Sequence, residues 1–185
     1  MTKAQLTVLA GPTAVVKGTV VAALTKRYPT LNVSVSATTR DPRPGELNGV
    51  HYYFVSAQEF DAMIERGDML EWALVHGKNK YGTPRGPVDE ALAAGKPVLL
   101  EIDLAGARQV RTNRPDAQFI FLAPPSWEEL ERRLIGRGTE GPEEQARRLA
   151  TARVELEAAS EFDHVVINDD VERAVDELAR LIGLE

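Results

Sequence analysis

Nine residues near the N-terminus constrain this chain most. The apolar run 6–10 leads into Gly11-Pro12-Thr13-Ala14-Val15-Val16-Lys17-Gly18-Thr19, after which a helical pattern begins. Strand, loop, lysine and helix in that order follow the phosphate-loop pattern G-x-x-x-x-G-K-[ST]. Such a loop wraps a phosphate in successive backbone N–H groups, and the helix behind it adds its positive N-terminal end. Gly11 and Lys17 fit the pattern. Val16 stands where the second glycine belongs, and Gly18 where the Mg-binding hydroxyl belongs, with Thr19 one residue too late. A β-branched residue forced to positive φ would store roughly 1–3 kcal/mol of strain. The loop alone leaves two readings open, a nucleotide site and an ordinary strand-to-helix turn.

The rest of the chain alternates. Apolar runs at 6–10, 33–36, 98–102, 118–122 and 164–167 read as strands, and helical patterns occupy 18–27, 87–94, 126–135, 142–160 and 171–182. Ser126 with Glu129 forms a capping-box pattern, Pro142 suits a first helical position, and Asp170 can cap the last helix. Alternation of this kind predicts a parallel sheet covered on both faces, with ligands bound beyond the carboxyl ends of its strands. Gly11–Lys17 and Asp103 both occupy such positions. Residues 34–83 break the pattern. They are rich in turns, with extended stretches at 51–55 and 69–75 and one helix at 56–66 that starts on Ser56 and Glu59. This reads as a small, mostly β lobe inserted in the core. The glycine-flanked stretch Gly136-Arg137-Gly138-Thr139-Glu140-Gly141 reads as a lid joint between two charged helices.

Composition narrows the function classes. At 185 residues the chain suits one domain, and 43% hydrophobic residues supply a core. The absence of cysteine excludes disulfides, thiolate metal sites and thiol catalysis. A net charge of −6 argues against a nucleic-acid binder. No run has transmembrane length and no signal-peptide pattern is present, so a cytoplasmic protein without membrane attachment is expected. Against the acidic background, arginines cluster at Arg40/Arg43, Arg132/Arg133/Arg137 and Arg147/Arg148/Arg153. Each cluster taken singly reads as a solvated, salt-bridged face. His51, His76 and His164 match no metal-ligand spacing, and Trp72 and Trp127 read as packing residues.

Several separate segments then match one family in register. Ser34-Val35-Ser36-Ala37-Thr38-Thr39-Arg40-Asp41-Pro42-Arg43-Pro44-Gly45-Glu46 resembles the signature of guanylate kinases. So do Gly49–Val55, Leu70-Glu71-Trp72-Ala73, Tyr81-Gly82-Thr83, Glu101-Ile102-Asp103, Phe121–Ser126, Gly136–Glu140 and Ile167–Asp170. The resemblance covers nearly the whole chain. It implies an α/β, P-loop NTPase-like parallel sheet with helices on both faces, an inserted small β-rich GMP-binding lobe and a helical lid. The parts would be a core of 1–33, 84–125 and 163–185, a lobe of 34–83 and a lid of 126–162. The implied activity is transfer of the γ-phosphoryl of MgATP to GMP, giving ADP and GDP, by a monomer or small homo-oligomer.

The resemblance also implies roles. Arg40, Arg43, Tyr52 and Tyr81 would hold the GMP phosphate. Glu71 would read guanine, accepting from N1–H and the 2-amino group, an arrangement adenine does not offer. Ser36 and Thr83 would add hydroxyl contacts to the base, and Asp103 a second acidic contact. Gly11, Pro12, Thr13, Ala14, Val15, Val16, Lys17, Gly18 and Thr19 would form the ATP loop, with Lys17 reaching the β- and γ-phosphates. Arg137 and Arg148, and with them Arg133, would close over ATP, and Asn168 would lie near adenine. Water can serve Mg²⁺ where Gly18 lacks the hydroxyl, so no side chain is assigned as a metal ligand. His76-Gly77-Lys78-Asn79-Lys80 runs one residue longer than the family's usual approach to the tyrosine. Val16 and Gly18 leave an alternative to a working or slowed kinase: a catalytically impaired module that binds GMP or a phosphorylated partner.

Overall fold

The computed structural model describes residues 4–12, 17–136 and 140–184. The chain opens with strand β1 (Leu6–Ala10), then helix α1 (Lys17–Arg27) and strand β2 (Asn32–Val33). Next come β3 (Ala37–Thr38), β4 (Tyr53–Phe54), α2 (Ala57–Glu65), β5 (Met69–Val75) and β6 (Asn79–Pro84). Helix α3 (Arg85–Ala93), β7 (Val98–Glu101), α4 (Leu104–Asn113) and β8 (Gln118–Ala123) follow. The last part holds α5 (Trp127–Ile135), α6 (Pro142–Glu157), a short 3₁₀ turn (Ala158–Glu161), β9 (His164–Ile167) and α7 (Val171–Ile182).

The core is a parallel sheet ordered β2-β7-β1-β8-β9. β1 lies at its centre, with Leu6 opposite Val98 of β7 and Thr7 opposite Gln118 of β8. That placement explains why all five residues of β1 are buried. Strands covered on both faces are apolar throughout rather than alternating. On one face Leu9, Leu99, Ile120, Leu122 and Val166 pack against Val20 and Leu24 of α1, Leu130 of α5 and Val175 and Leu178 of α7. On the other, Val8, Leu100 and Phe119 pack against Val88 of α3 and Ala107 and Val110 of α4. Each such leucine, fully buried, contributes roughly 1.5–3 kcal/mol relative to exposure.

A second sheet, ordered β4-β3-β6-β5, is built from residues of the turn-rich segment. β3 pairs with β4 in parallel, while β6 runs antiparallel to both β3 and β5. Helix α2 covers it, seating Phe60 against Ala37 and Met69. Its start matches the expected capping box: Ser56 Oγ accepts from the Glu59 amide at 3.0 Å.

Three elements differ from the sequence reading. The strand expected at 33–36 is divided, because the chain leaves the core sheet after Val33 and enters the second sheet at Ala37. β6 was hidden by Gly82 and Pro84, residues that weaken a strand pattern. Helix α4 was hidden by Gly106 in its first turn, and forms because Asp103 caps it and its apolar face packs on the sheet. The stretch before Tyr81 forms the β5–β6 turn. His76 and Gly77 take left-handed backbone there, at φ 53° and 63°. The ladder beyond it runs unbroken from Val75–Asn79 to Ala73–Tyr81.

Candidate functional site

The core strands all end at one edge, and the residues just beyond them build the site. Gly11 and Pro12 follow β1 and are buried. A Cβ on Gly11 would stand 2.3 Å from the carbonyl oxygen of Leu122. The first glycine of the loop is therefore demanded by the close approach of β8, independently of any phosphate. Thr13, Ala14, Val15 and Val16 lie outside the described residues. Lys17 opens α1 and turns its ammonium back to donate to the Gly11 carbonyl at 3.1 Å. Burial lowers its pKa, opposed by the nearby carboxylates of Glu101, Glu155 and Asp103. No acidic residue of α1 itself lies in its first turn; the carboxylates near that end are those of Glu101, Glu155 and Asp103. Gly18 and Thr19 are exposed. Among the described residues, a Cβ on Gly18 would meet only Glu101 Oε1, at 4.0 Å.

A second group forms where β5, β6 and α4 meet. Glu71 on β5 is buried, and its Oε1 accepts from the Thr83 hydroxyl at 2.8 Å, across the β5–β6 ladder. Its other oxygen faces the first turn of α4. A Cβ on Gly106 would lie 3.0 Å from Glu71 Oε2 and 3.1 Å from Asp103 Oδ1. Asp103 Oδ1 accepts from the Gly106 amide at 2.8 Å. Burial raises the pKa of Glu71; the Thr83 hydroxyl lowers it, and the Asp103 charge raises it further. The Asp103 charge acts on both Glu71 and Lys17.

A third group lies at the start of the second sheet. Arg40 forks onto Glu46 through bonds of 2.9 and 3.0 Å. Its guanidinium stands 5.2 Å from the centre of the Tyr52 ring, which meets Tyr81 edge-on at 6.0 Å. Arg43 turns its side chain to solvent, while its amide donates to Glu46 Oε1 at 2.7 Å. Ser36 is partly buried beside them, its carbonyl accepting from the Tyr53 amide at 2.8 Å. The remaining residues are held by their own neighbours. Arg133 pairs with Glu129 at 3.3 Å and Arg148 with Glu140 at 2.7 Å. Asn168 is buried just after β9, its amide bonded to the Ala123 carbonyl at 2.8 Å. Arg137 lies outside the described residues.

The chain thus holds a buried acceptor, a lysine at the start of α1 and an arginine–tyrosine cluster on the second sheet. The family model described as guanylate kinase matches residues 3–185. The chain belongs to the guanylate kinase family. It is 61% identical over 179 residues to a guanylate kinase of Thermobifida fusca, covering 97% of this chain and 91% of that one. To the guanylate kinase of Leifsonia xyli subsp. xyli it is 60% identical over 177 residues, covering 96% and 70%. Among solved structures, a guanylate kinase from Anaplasma phagocytophilum superposes with a TM-score of 0.74 at 32% identity, over 99% of this chain and 86% of that chain. Family membership makes the chain a nucleoside monophosphate kinase of P-loop fold.

Two residues that sequence reasoning passed over stand out within the guanylate kinase frame. Glu46 occupies the Arg40 fork, and the Arg40 guanidinium with the Arg43 amide pulls its carboxyl down to about 2. The opposite charges of Arg40 and Glu46 around a Pro–Gly turn were a visible signal. Gly106 gave none. Only the folded chain shows that a side chain there would press on Glu71 and Asp103.

Proposed function

We propose that this chain transfers the γ-phosphoryl group of MgATP to GMP, giving ADP and GDP. The observation that carries the reading is the buried Glu71 carboxylate, held by Thr83 and set beside Asp103. A buried acceptor of that kind binds a base offering two adjacent donors and rejects one that leaves it unpaired. In this reading residues 34–83 form the GMP lobe and residues 126–162 the lid, on a core of 1–33, 84–125 and 163–185. Ser36 and Thr83 support the base.

GMP brings its own nucleophile. Its phosphate has a second pKa of about 6 and is largely dianionic at neutral pH, so no general base is required. A phosphate oxygen of GMP attacks the γ-phosphorus, the bond to the β–γ bridging oxygen breaks, and ADP leaves with that electron pair. The chain's task is to bring two polyanions together. Arg40 gives up Glu46 for the GMP phosphate, beside Tyr52, Tyr81 and Arg43. Lys17 takes the β- and γ-phosphates of ATP. Arg148, with Arg137 and Arg133, offsets charge spreading over the transferred group, and Asn168 lies toward adenine.

The donors at the loop end suit a Mg²⁺ ion held mainly through phosphate oxygens and water. Glu101 and Asp103, both near Lys17, would hold it. Among the described residues no group of three His, Asp or Glu side chains forms a cage of its own. When bound, the ion supplies neutralisation of charge on the β- and γ-phosphates.

Relatives about 60% identical and named as guanylate kinases favour the enzyme over an impaired binding module. The test is coupled ADP release with MgATP and GMP, AMP, CMP or UMP in turn. Turnover that depends on GMP, on the order of 1–100 s⁻¹, is expected. Equal turnover on AMP, or none with GMP from folded protein, overturns the reading.

A further inference from the structure

We propose that Gln109 and Asn113 are positioning residues that hold Glu71 for guanine, and that the base reader is thereby fastened to the core rather than to its own sheet. This inference rests on the reading of Glu71 given above. β5 is the outermost strand of the second sheet, and its ladder with β6 shifts register between Met69 and Glu71. In extended backbone the amide and carbonyl of one residue point to the same edge, and successive residues alternate. The Glu71 carbonyl faces Gly82 of β6, 2.7 Å from where a Cβ there would stand, so Leu70 and Trp72 point their backbone groups outward. An outer strand leaves such groups without a strand partner.

Helix α4 supplies the partners. Gln109 uses both ends of its amide on one residue: Oε1 accepts from the Trp72 amide at 3.1 Å, and Nε2 donates to the Trp72 carbonyl at 2.9 Å. Asn113, one turn further, donates to the Leu70 carbonyl at 2.8 Å. The grips fall on residues 70 and 72, on either side of Glu71. Gly106, Gln109 and Asn113 follow the three-then-four spacing of one helical stripe. The top of that stripe is Gly106, whose missing side chain leaves room for Glu71 Oε2. One face of α4 therefore sets the backbone of β5 and clears the space for the carboxylate. Asp103 anchors the same helix through its cap. Gln109 and Asn113 act on the carboxylate through the backbone of β5, and Gly106 through the room it leaves.

A bidentate acceptor tolerates displacement of only about 0.5 Å before its geometry is lost. Releasing Trp72 from Gln109 should weaken recognition of guanine without altering phosphoryl transfer once GMP is bound. The experiment compares the full chain with Gln109→Met, Glu71→Ala and the double variant. It measures kcat and KM for GMP and for IMP, KM for MgATP, and thermal melting. IMP offers N1–H but no 2-amino group. For Gln109→Met we expect a roughly tenfold rise in KM for GMP, a smaller preference for GMP over IMP, kcat within about twofold, and an unchanged KM for MgATP. In the Glu71→Ala background the second substitution should add nothing to either effect. If Glu71→Ala changes the GMP preference but Gln109→Met does not, the positioning role is overturned and the reading of Glu71 stands. If Glu71→Ala leaves the preference intact, the underlying reading falls. Equal rises in KM for GMP and MgATP would mark a merely structural role and also overturn the proposal. Should Gln109→Met fail to fold, Asn113→Leu removes only the bond to Leu70, and an unchanged GMP preference there overturns it equally.

Discussion

Glu71 and Glu46 are carboxylates with opposite environments, and acid should separate them. Burial raises the pKa of Glu71 above its ordinary 4.5. Its favourable contribution to stability is complete below the ordinary value and is lost as pH rises through the raised one. Recognition runs the other way, because only the carboxylate accepts two hydrogen bonds. KM for GMP should climb as pH falls through the raised pKa of Glu71. In Glu71→Gln that dependence is removed, while the titration of the GMP phosphate, with its pKa of about 6, remains. Superimposable pH profiles for the two proteins would refute an ionised Glu71. Glu46 is held down to about 2 by the Arg40 guanidinium and the Arg43 amide. Its stabilising contribution is present above the ordinary carboxylate value and fades as pH falls toward that of the folded state. The melting-temperature gap between the protein and Glu46→Gln should therefore narrow between about pH 5 and about pH 3.

At the scale of elements, the join between β1 and α1 is the place where packing and chemistry are easily confused. Gly11 is required by the Leu122 carbonyl, 2.3 Å from where a Cβ would stand, whereas among the described residues a Cβ on Gly18 would meet nothing nearer than Glu101 Oε1, at 4.0 Å. Gly11→Ala should cost about 1–3 kcal/mol, the usual range for overpacking, and lower the melting temperature by several degrees. Gly18→Ser should leave melting unchanged and place a hydroxyl beside Glu101. If that hydroxyl joins the metal, Mn²⁺ in the presence of ATP should bind more tightly, read by its paramagnetic resonance signal. Helix α7 shows what local rules do carry. Asp170 caps it through the Arg173 amide at 2.9 Å, and Gly183 ends it in left-handed backbone at φ 84°. Both signals are visible in sequence, as is the Ser126 cap of α5, which accepts from Glu129 at 3.1 Å. Helix α4 has a cap of the same kind, Asp103 accepting from the Gly106 amide at 2.8 Å, but Gly106 in its first turn weakens the helical pattern.

Across the whole molecule, three of the arginines assigned to phosphates are held by carboxylates: Arg40 by Glu46, Arg133 by Glu129 and Arg148 by Glu140. Binding both nucleotides would exchange those partners for phosphate oxygens, which form the stronger, charge-assisted bonds. Amide hydrogen exchange in α5 and α6 should slow when GMP and a non-hydrolysable ATP analogue are added together, and much less with either alone. Equal protection by each ligand alone would argue against a shared closure. Among the described residues no helix is long and apolar enough to cross a membrane. The order of the core strands, most of the helices, the caps and the phosphate-loop frame were legible in the chain, because each depends on residues within about one turn or strand of one another. So were the family segments around Arg40, Glu71 and Tyr81. The placement of β3 and β6, the pairing of Glu71 with Thr83 and the clearance at Gly106 were not. Neither was the grip of Gln109 and Asn113 on β5. These depend on contacts between residues far apart in sequence, and only the packed fold brings them within hydrogen-bonding distance.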